Sequence, residues 1–165
     1  MTWLLSEADS VERALEMIAS VPHAGGGNLV LADPSGARAA VELGHRGTTV
    51  ERAECDWIAR TNHYLSAPLC DSHPEGPLDS IGASSRGRLA HIREIAPGLP
   101  DSDGLAPVAA LFASHDSDGR TGLCSHPVGD GPRTISTSLY LCRDRALCFS
   151  DGNPCLDRWY RFQLA

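Results

Sequence analysis

The sequence predicts an α+β fold with antiparallel sheets and flanking helices. Three observations carry that reading: an amphipathic helical stretch opens the chain, two groups of short apolar runs are joined by tight turns, and a pair of helical segments separates them. Strands do not alternate with helices as a parallel sheet requires, and no internal repeat is present.

Taken in order, Ser6 to Val21 reads as the first helix. Val11, Ala14, Leu15 and Ile18 fall on one face, Ser6 or Ser10 offers an N-cap, and Pro22 ends it. His23-Ala24-Gly25-Gly26-Gly27 is a break without the spacing or the lysine of a phosphate loop. Asn28–Ala32 and Ala37–Leu43 form a hairpin around Asp33-Pro34-Ser35-Gly36, and Gly44–Gly47 turns into a third strand, Thr48–Glu54. A fourth strand is expected at Asp56–Arg60, running into Thr61-Asn62-His63. Leu65–Gly82, rich in proline and glycine, reads as an irregular loop. Ser84-Ser85 caps a helix over Arg86–Ala96 with Leu89, Ile92, Ile95 and Ala96 as its apolar face. Asp103 caps another over Leu105–His115, with Pro107 tolerated in the first turn. Thr134–Cys142, Ala146–Ser150 and Trp159–Leu164 are the closing strands, joined through Arg143-Asp144-Arg145 and Asp151-Gly152-Asn153-Pro154.

The composition excludes several chemistries. The 14 basic residues are all arginine, which removes Schiff-base lysines, phosphate-loop lysines and Ser-Lys pairs. A net charge of −7 with no basic run disfavours nucleic acid and anionic membranes as partners. At 165 residues one domain is the natural expectation. Trp3-Leu4-Leu5 does not make a signal peptide, and no run approaches the ~18 apolar residues of a membrane span. A cytoplasmic protein with reduced thiols is therefore expected, although its six cysteines would suffice for three disulfides in an oxidising compartment. Cys124-Ser125-His126 with Cys142, Cys148 or Cys155 is the metal-ligating combination on offer. With no CxxC pair, the spacing argues against zinc, and no metal is expected.

One set of motifs is more specific. The run Gly27-Asn28-Leu29-Val30-Leu31-Ala32-Asp33 with the Gly36 turn, Thr61-Asn62-His63-Tyr64-Leu65, Ser84-Ser85-x-x-Arg88, Cys124-x-His126 and Gly152-Asn153-Pro154-Cys155 resembles, in order, the isopenicillin N acyltransferase family (acyl-coenzyme A:6-aminopenicillanate acyltransferases). The resemblance implies a self-processing N-terminal-nucleophile enzyme with an αββα sandwich. It also implies an acyl-enzyme formed on an N-terminal cysteine, and action on carbon–nitrogen amide bonds as hydrolase or N-acyltransferase. No cofactor is implied, but acyl-coenzyme A is a candidate co-substrate. Asn62 matches the family's oxyanion-hole asparagine, a donor to the oxygen that becomes negative. Arg133 stands where the family has a substrate-binding arginine, a residue type suited to gripping a carboxylate.

The family's Cys-Thr nucleophile context is not matched by any cysteine here, so the resemblance implies a C-terminal part of the catalytic domain, inactive by itself. An upstream subunit or self-association would complete it, and small amides or acyl donors would be its ligands. The alternative is a noncatalytic remnant acting as a binding or interaction module. Thr2, exposed by loss of Met1, is a rival N-terminal nucleophile, disfavoured because a helix follows it rather than a strand. His63 is expected to be structural, His115 and His126 to be ordinary loop and helix-end residues, and Cys124 and Cys155 to be small apolar side chains.

Overall fold

Ser10 divides the first predicted helix into two. In the computed structural model, which describes residues 2–23, 26–45, 47–70, 80–99, 105–126 and 133–164, α1 spans Thr2–Glu7 and α2 spans Val11–Ala19. Ser10 is extended (φ −149°, ψ 160°) and its hydroxyl accepts from the Arg13 N–H, a cap that an uninterrupted helix has no place for. Val11, Ala14, Met17 and Ile18 are buried on one side of α2.

The hairpin and third strand form as expected. β1 (Gly27–Ala32), β2 (Arg38–Gly44) and β3 (Gly47–Arg52) make an antiparallel sheet in sequential order. In the first turn Gly36, at φ +92°, donates its N–H to the Asp33 carbonyl. One Asp33 carboxylate oxygen accepts from the Ser35 N–H and hydroxyl, and the other accepts from the Val11 N–H at 3.0 Å. Led by the Ser35 hydroxyl, then Val11, these donors hold the Asp33 carboxyl below its ordinary range. One carboxylate thus fastens the turn to the start of α2.

The register separates two faces. Asn28, Glu42 and Thr49 stand in one row across the three strands, and Val30, Ala40 and Glu51 in the next row of the same face. Leu29, Val41 and Val50 share the opposite face with the row Leu31, Ala39 and Arg52. Helix α2 packs against β1, and Arg52 forks onto Glu12 at 2.7 Å. Ala39, Ala40 and Val41 are fully buried, so β2 is covered on both faces.

Residues 53–66 are irregular, and the fourth strand expected at Asp56–Arg60 is absent. The physical reason is that side chains of the polar face take up this segment's hydrogen bonds: Arg60 meets Glu42 and Glu51, Asn28 of β1 holds the Thr61 and His63 carbonyls, and Glu42 of β2 holds the Leu65 and Ser66 N–H groups. Within the expected loop, Ala67–Cys70 forms a short helix, α3, and Leu69 is buried against the β2–β3 turn. A Cβ on Gly44 would lie 2.6 Å from the Leu69 Cδ2, so a larger residue there would have to displace the buried Leu69 side chain. α4 runs over Ser80–Ile95, starting ahead of the Ser84-Ser85 cap that the sequence suggested. Ser85 is therefore a helix-interior residue, fully buried.

The chain forms two compact units, Met1–Leu89 and Ala90–Ala165, with the boundary inside α4. In the second unit, α5 covers Leu105–Phe112, while its expected cap Asp103 lies outside the described residues. β4 (Ser138–Leu141), β5 (Ala146–Ser150) and β6 (Trp159–Gln163) form another sequential antiparallel sheet. The strand expected from Thr134 is shorter because the Thr134 N–H donates to the Ser125 carbonyl instead of to the ladder. Leu139, Ala146, Cys148 and Ser150 are buried, whereas Tyr140, Tyr160 and Phe162 are exposed on the other side. Helices and two antiparallel sheets make the α+β class plain. Among the described residues, no helix is long and apolar enough to cross a membrane.

Candidate functional site

The polar face of the first sheet positions Asn62. Asn28 Nδ2 donates to the carbonyls of Thr61 (2.6 Å) and His63 (2.9 Å). Glu42 accepts from Arg60 Nε (2.9 Å), the Leu65 N–H (2.8 Å), the Ser66 N–H (3.0 Å) and the Ser66 hydroxyl (2.6 Å). Thr49 Oγ1 reaches the Ser66 hydroxyl at 3.0 Å, and Glu51 holds the other side of Arg60. A segment without regular structure is thus tied at both ends to one row of side chains, Asn28-Glu42-Thr49.

Glu42 is 1% exposed, so burial alone would raise its pKa. The Ser66 hydroxyl, the Leu65 and Ser66 N–H groups and the Arg60 charge outweigh that effect and hold the carboxyl below its ordinary range. Glu42 is an anion that organises backbone, much as an N-cap does.

Ser85 closes the site from α4. Its hydroxyl accepts from the Asn62 N–H (2.7 Å), meets His63 Nδ1 (2.7 Å) and donates to Thr61 Oγ1 (2.9 Å), which in turn donates to the Ser85 carbonyl (3.0 Å). Because the single hydroxyl proton goes to Thr61, the network assigns the His63 proton to Nδ1, donating to Ser85. His63 is hydrogen-bonded through Nδ1 to Ser85 within this trio.

One turn further along α4, Arg88 Nη2 donates to Asn62 Oδ1 at 2.7 Å. Burial pulls the Arg88 guanidinium below its ordinary value, yet an arginine remains a cation. Asn62 itself is exposed. With its oxygen clamped and its backbone N–H held by Ser85, the carboxamide presents Nδ2, which donates to nothing among the described residues. This arrangement offers N–H donors to an oxygen that gains negative charge, with the Arg88 cation polarising the amide from behind. Asn28 also lines a largely apolar cleft of 410 Å³ with Trp3, Leu4, Ile18, Val21 and Leu29, a space suited to an apolar chain.

Arg133 lies in the second unit, exposed at the start of the segment leading to β4. Thr134 beside it exchanges hydrogen bonds with Ser125, through its N–H (2.9 Å) and its hydroxyl (3.0 Å). Asn62 and Arg133 therefore belong to different units. Sequence reasoning overlooked the roles of Glu42 and Arg60, and took Ser85 for a cap. Asn28, Ser85 and Arg88 did fall within the quoted motifs, which is the signal that marks them.

The second unit departs from expectation at its thiols. None of the six cysteines is in a disulfide. Cys124 and Cys155 are not isolated apolar side chains, because their sulfurs lie 3.6 Å apart with His126 Nε2 against both. Burial, and then the neighbouring Cys124, push the Cys155 thiol above its ordinary value.

The family model for acyl-coenzyme A:6-aminopenicillanic acid acyl-transferase matches residues 2–155, and the chain belongs to that family. No curated protein matches the chain.

Proposed function

We propose that this chain supplies the oxyanion-binding part of an N-terminal-nucleophile amide hydrolase or N-acyltransferase. The observation that carries this reading is the Asn62 carboxamide, clamped through its oxygen by Arg88 and, among the described residues, with no acceptor for its nitrogen. In the reaction, a cysteine thiolate attacks the carbonyl carbon of an amide, and the carbonyl oxygen takes the negative charge of the tetrahedral intermediate. Asn62 Nδ2 donates to that oxygen. Collapse expels the amine, which takes up a proton, and leaves a thioester for water or a second amine to resolve. The nucleophile comes from residues other than these 165, because none of the six cysteines stands in a Cys-Thr context. Arg133 binds a carboxylate of the substrate or acyl donor, and acyl-coenzyme A serves as co-substrate in the transferase version. The exposed Tyr140, Tyr160 and Phe162 support association with the subunit or copy that completes the site.

The test uses the natural, complete enzyme carrying these residues, assayed for amide cleavage and acyl transfer. Asn62→Ala is expected to lower kcat about 10²–10³-fold with little change in KM. Arg88→Leu, which frees the carboxamide to rotate, should lower kcat less. Wild-type kcat in Asn62→Ala would overturn the site. Absence of any turnover, with small amides still binding, would favour the noncatalytic binding module instead.

A further inference from the structure

The second unit gathers four metal-ligating side chains that the proposed acyl chemistry does not use. His115, Cys124, His126 and Cys155 each turn one donor atom inward, and all four atoms lie within 4.8 Å of one another. The measured edges are 3.0 Å between the two His Nε2 atoms and 3.6 Å between the sulfurs. His126 Nε2 lies 3.7 Å from the Cys124 sulfur and 3.2 Å from that of Cys155. A zinc tetrahedron with Zn–S of about 2.3 Å and Zn–N of about 2.05 Å has edges of roughly 3.8 Å for S–S, 3.6 Å for S–N and 3.3 Å for N–N. Three of these four edges are shorter than the ideal ones by a few tenths of an ångström and the His126–Cys124 edge is slightly longer, while the two edges from His115 to the sulfurs lie within 4.8 Å.

The backbone is built to hold them there. His115 and Cys124 flank a tight loop: the Cys124 N–H donates to the Ser114 carbonyl at 2.9 Å, the Gly122 N–H to the Asp116 carboxylate at 2.7 Å, and Ser117 pairs with Arg120. A Cβ on Gly122 would lie 2.4 Å from the His115 Cα, so glycine permits the close approach of the two arms. Glu94 grips Arg120, and His91 Nδ1 donates to the Thr121 carbonyl. Asn153 brings in the fourth ligand. Its Nδ2 donates to the Ser125 carbonyl at 2.9 Å and touches the Cys124 sulfur at 3.4 Å, directly before the 3-10 turn Pro154–Leu156 that carries Cys155. An N–H aimed at a ligand sulfur is the outer support that thiolate metal sites use.

We propose that His115, Cys124, His126 and Cys155 form a tetrahedral structural zinc site. Two thiolates and two imidazoles are the donor set that suits zinc, and four protein ligands leave no open position for a substrate. Binding converts both thiols to thiolates and releases their two protons to solvent. The cation joins the 114–126 loop, which carries His115, Cys124 and His126, to the 153–156 turn, which carries Cys155, a separation that hides the set from a search for the spacing of a zinc finger.

The full chain, purified under reductant without oxygen, provides the test. Elemental analysis is expected to find one zinc per chain, removed by a strong chelator and restored by stoichiometric zinc. Cobalt exchange should give the visible bands of a tetrahedral site and a near-ultraviolet thiolate charge-transfer band. His126→Ala and Cys155→Ser should abolish stoichiometric uptake. Cys155→His should retain it with a weaker charge-transfer band, Cys55→Ser should leave it unchanged, and Asn153→Ala should weaken affinity about 10–100-fold. Should a ligand variant fail to fold, the wild-type cobalt spectrum still decides. A folded wild-type chain that takes up neither metal would overturn the proposal. So would a Cys124–Cys155 disulfide formed under these conditions, or uptake unaffected by His126→Ala in a folded protein.

Discussion

The Asn62 neighbourhood and the His115–Cys155 cluster solve the same problem, the packing of polar side chains close together, in opposite ways. Around Asn62 donors and acceptors balance: Ser85, Thr61 and His63 pass protons in a consistent direction, and the Glu42 anion meets N–H and O–H donors on both oxygens. In the cluster, two imidazole nitrogens face each other and two sulfurs face both, with Asn153 the supporting donor. The first closes with its own protons. The second has surplus lone pairs and closes with a cation. A polar constellation is thus better judged by its proton count than by its density.

The comparison breaks most readily at Glu42. Glu42→Ala leaves the Arg60 side chain, 6% exposed, without its buried partner, and a loss of about 3–5 kcal/mol of stability is expected in denaturant titration. Ser85→Ala removes the acceptor of the Asn62 N–H, and about 1–3 kcal/mol should be lost, together with kcat of the completed enzyme. Acid gives a third measurement with a defined sign. Glu42 has a folded pKa below its ordinary value of about 4.3, so its stabilisation is complete above that pH. It is lost as pH falls through the folded value, and Glu42→Gln should flatten this part of the stability–pH curve. The smallest effect is expected at the Arg120–Glu94 pair, whose side chains are 43% and 49% exposed. Arg120→Ala should leave thermal unfolding almost unchanged, with metal stoichiometry unaltered.

Much of this was legible in local sequence. The periodicity of Val11, Ala14 and Ile18 located α2, and Asp33-Pro34-Ser35-Gly36 located the hairpin, because both signals lie within a few residues. The motifs carried Asn62 into view beside Ser85 and Arg88. What stayed hidden was non-local or polar. Nothing short-range says that Arg60 will turn toward Glu42 rather than extend a strand, and the Ser80–Ser85 stretch has no apolar repeat to announce a helix. Cys124-x-His126 and Cys155 were visible separately. His115 reads as a helix end in the sequence, because Cys155, which completes the set, lies far along the chain and leaves no fixed spacing.

The Asp33 carboxylate has a consequence for the chain during its synthesis. α2 has nine residues, fewer than the ~12–15 an isolated helix needs to persist, and its first N–H finds its acceptor at Asp33. At about 5–20 residues per second, translation reaches Asp33 roughly one to four seconds after Val11. Until then the apolar stripe of Val11, Ala14, Met17 and Ile18 has no sheet to lie on. Capping of α2 and docking of its stripe on β1 are therefore coupled to formation of the Asp33 turn, and neither is complete before the hairpin is.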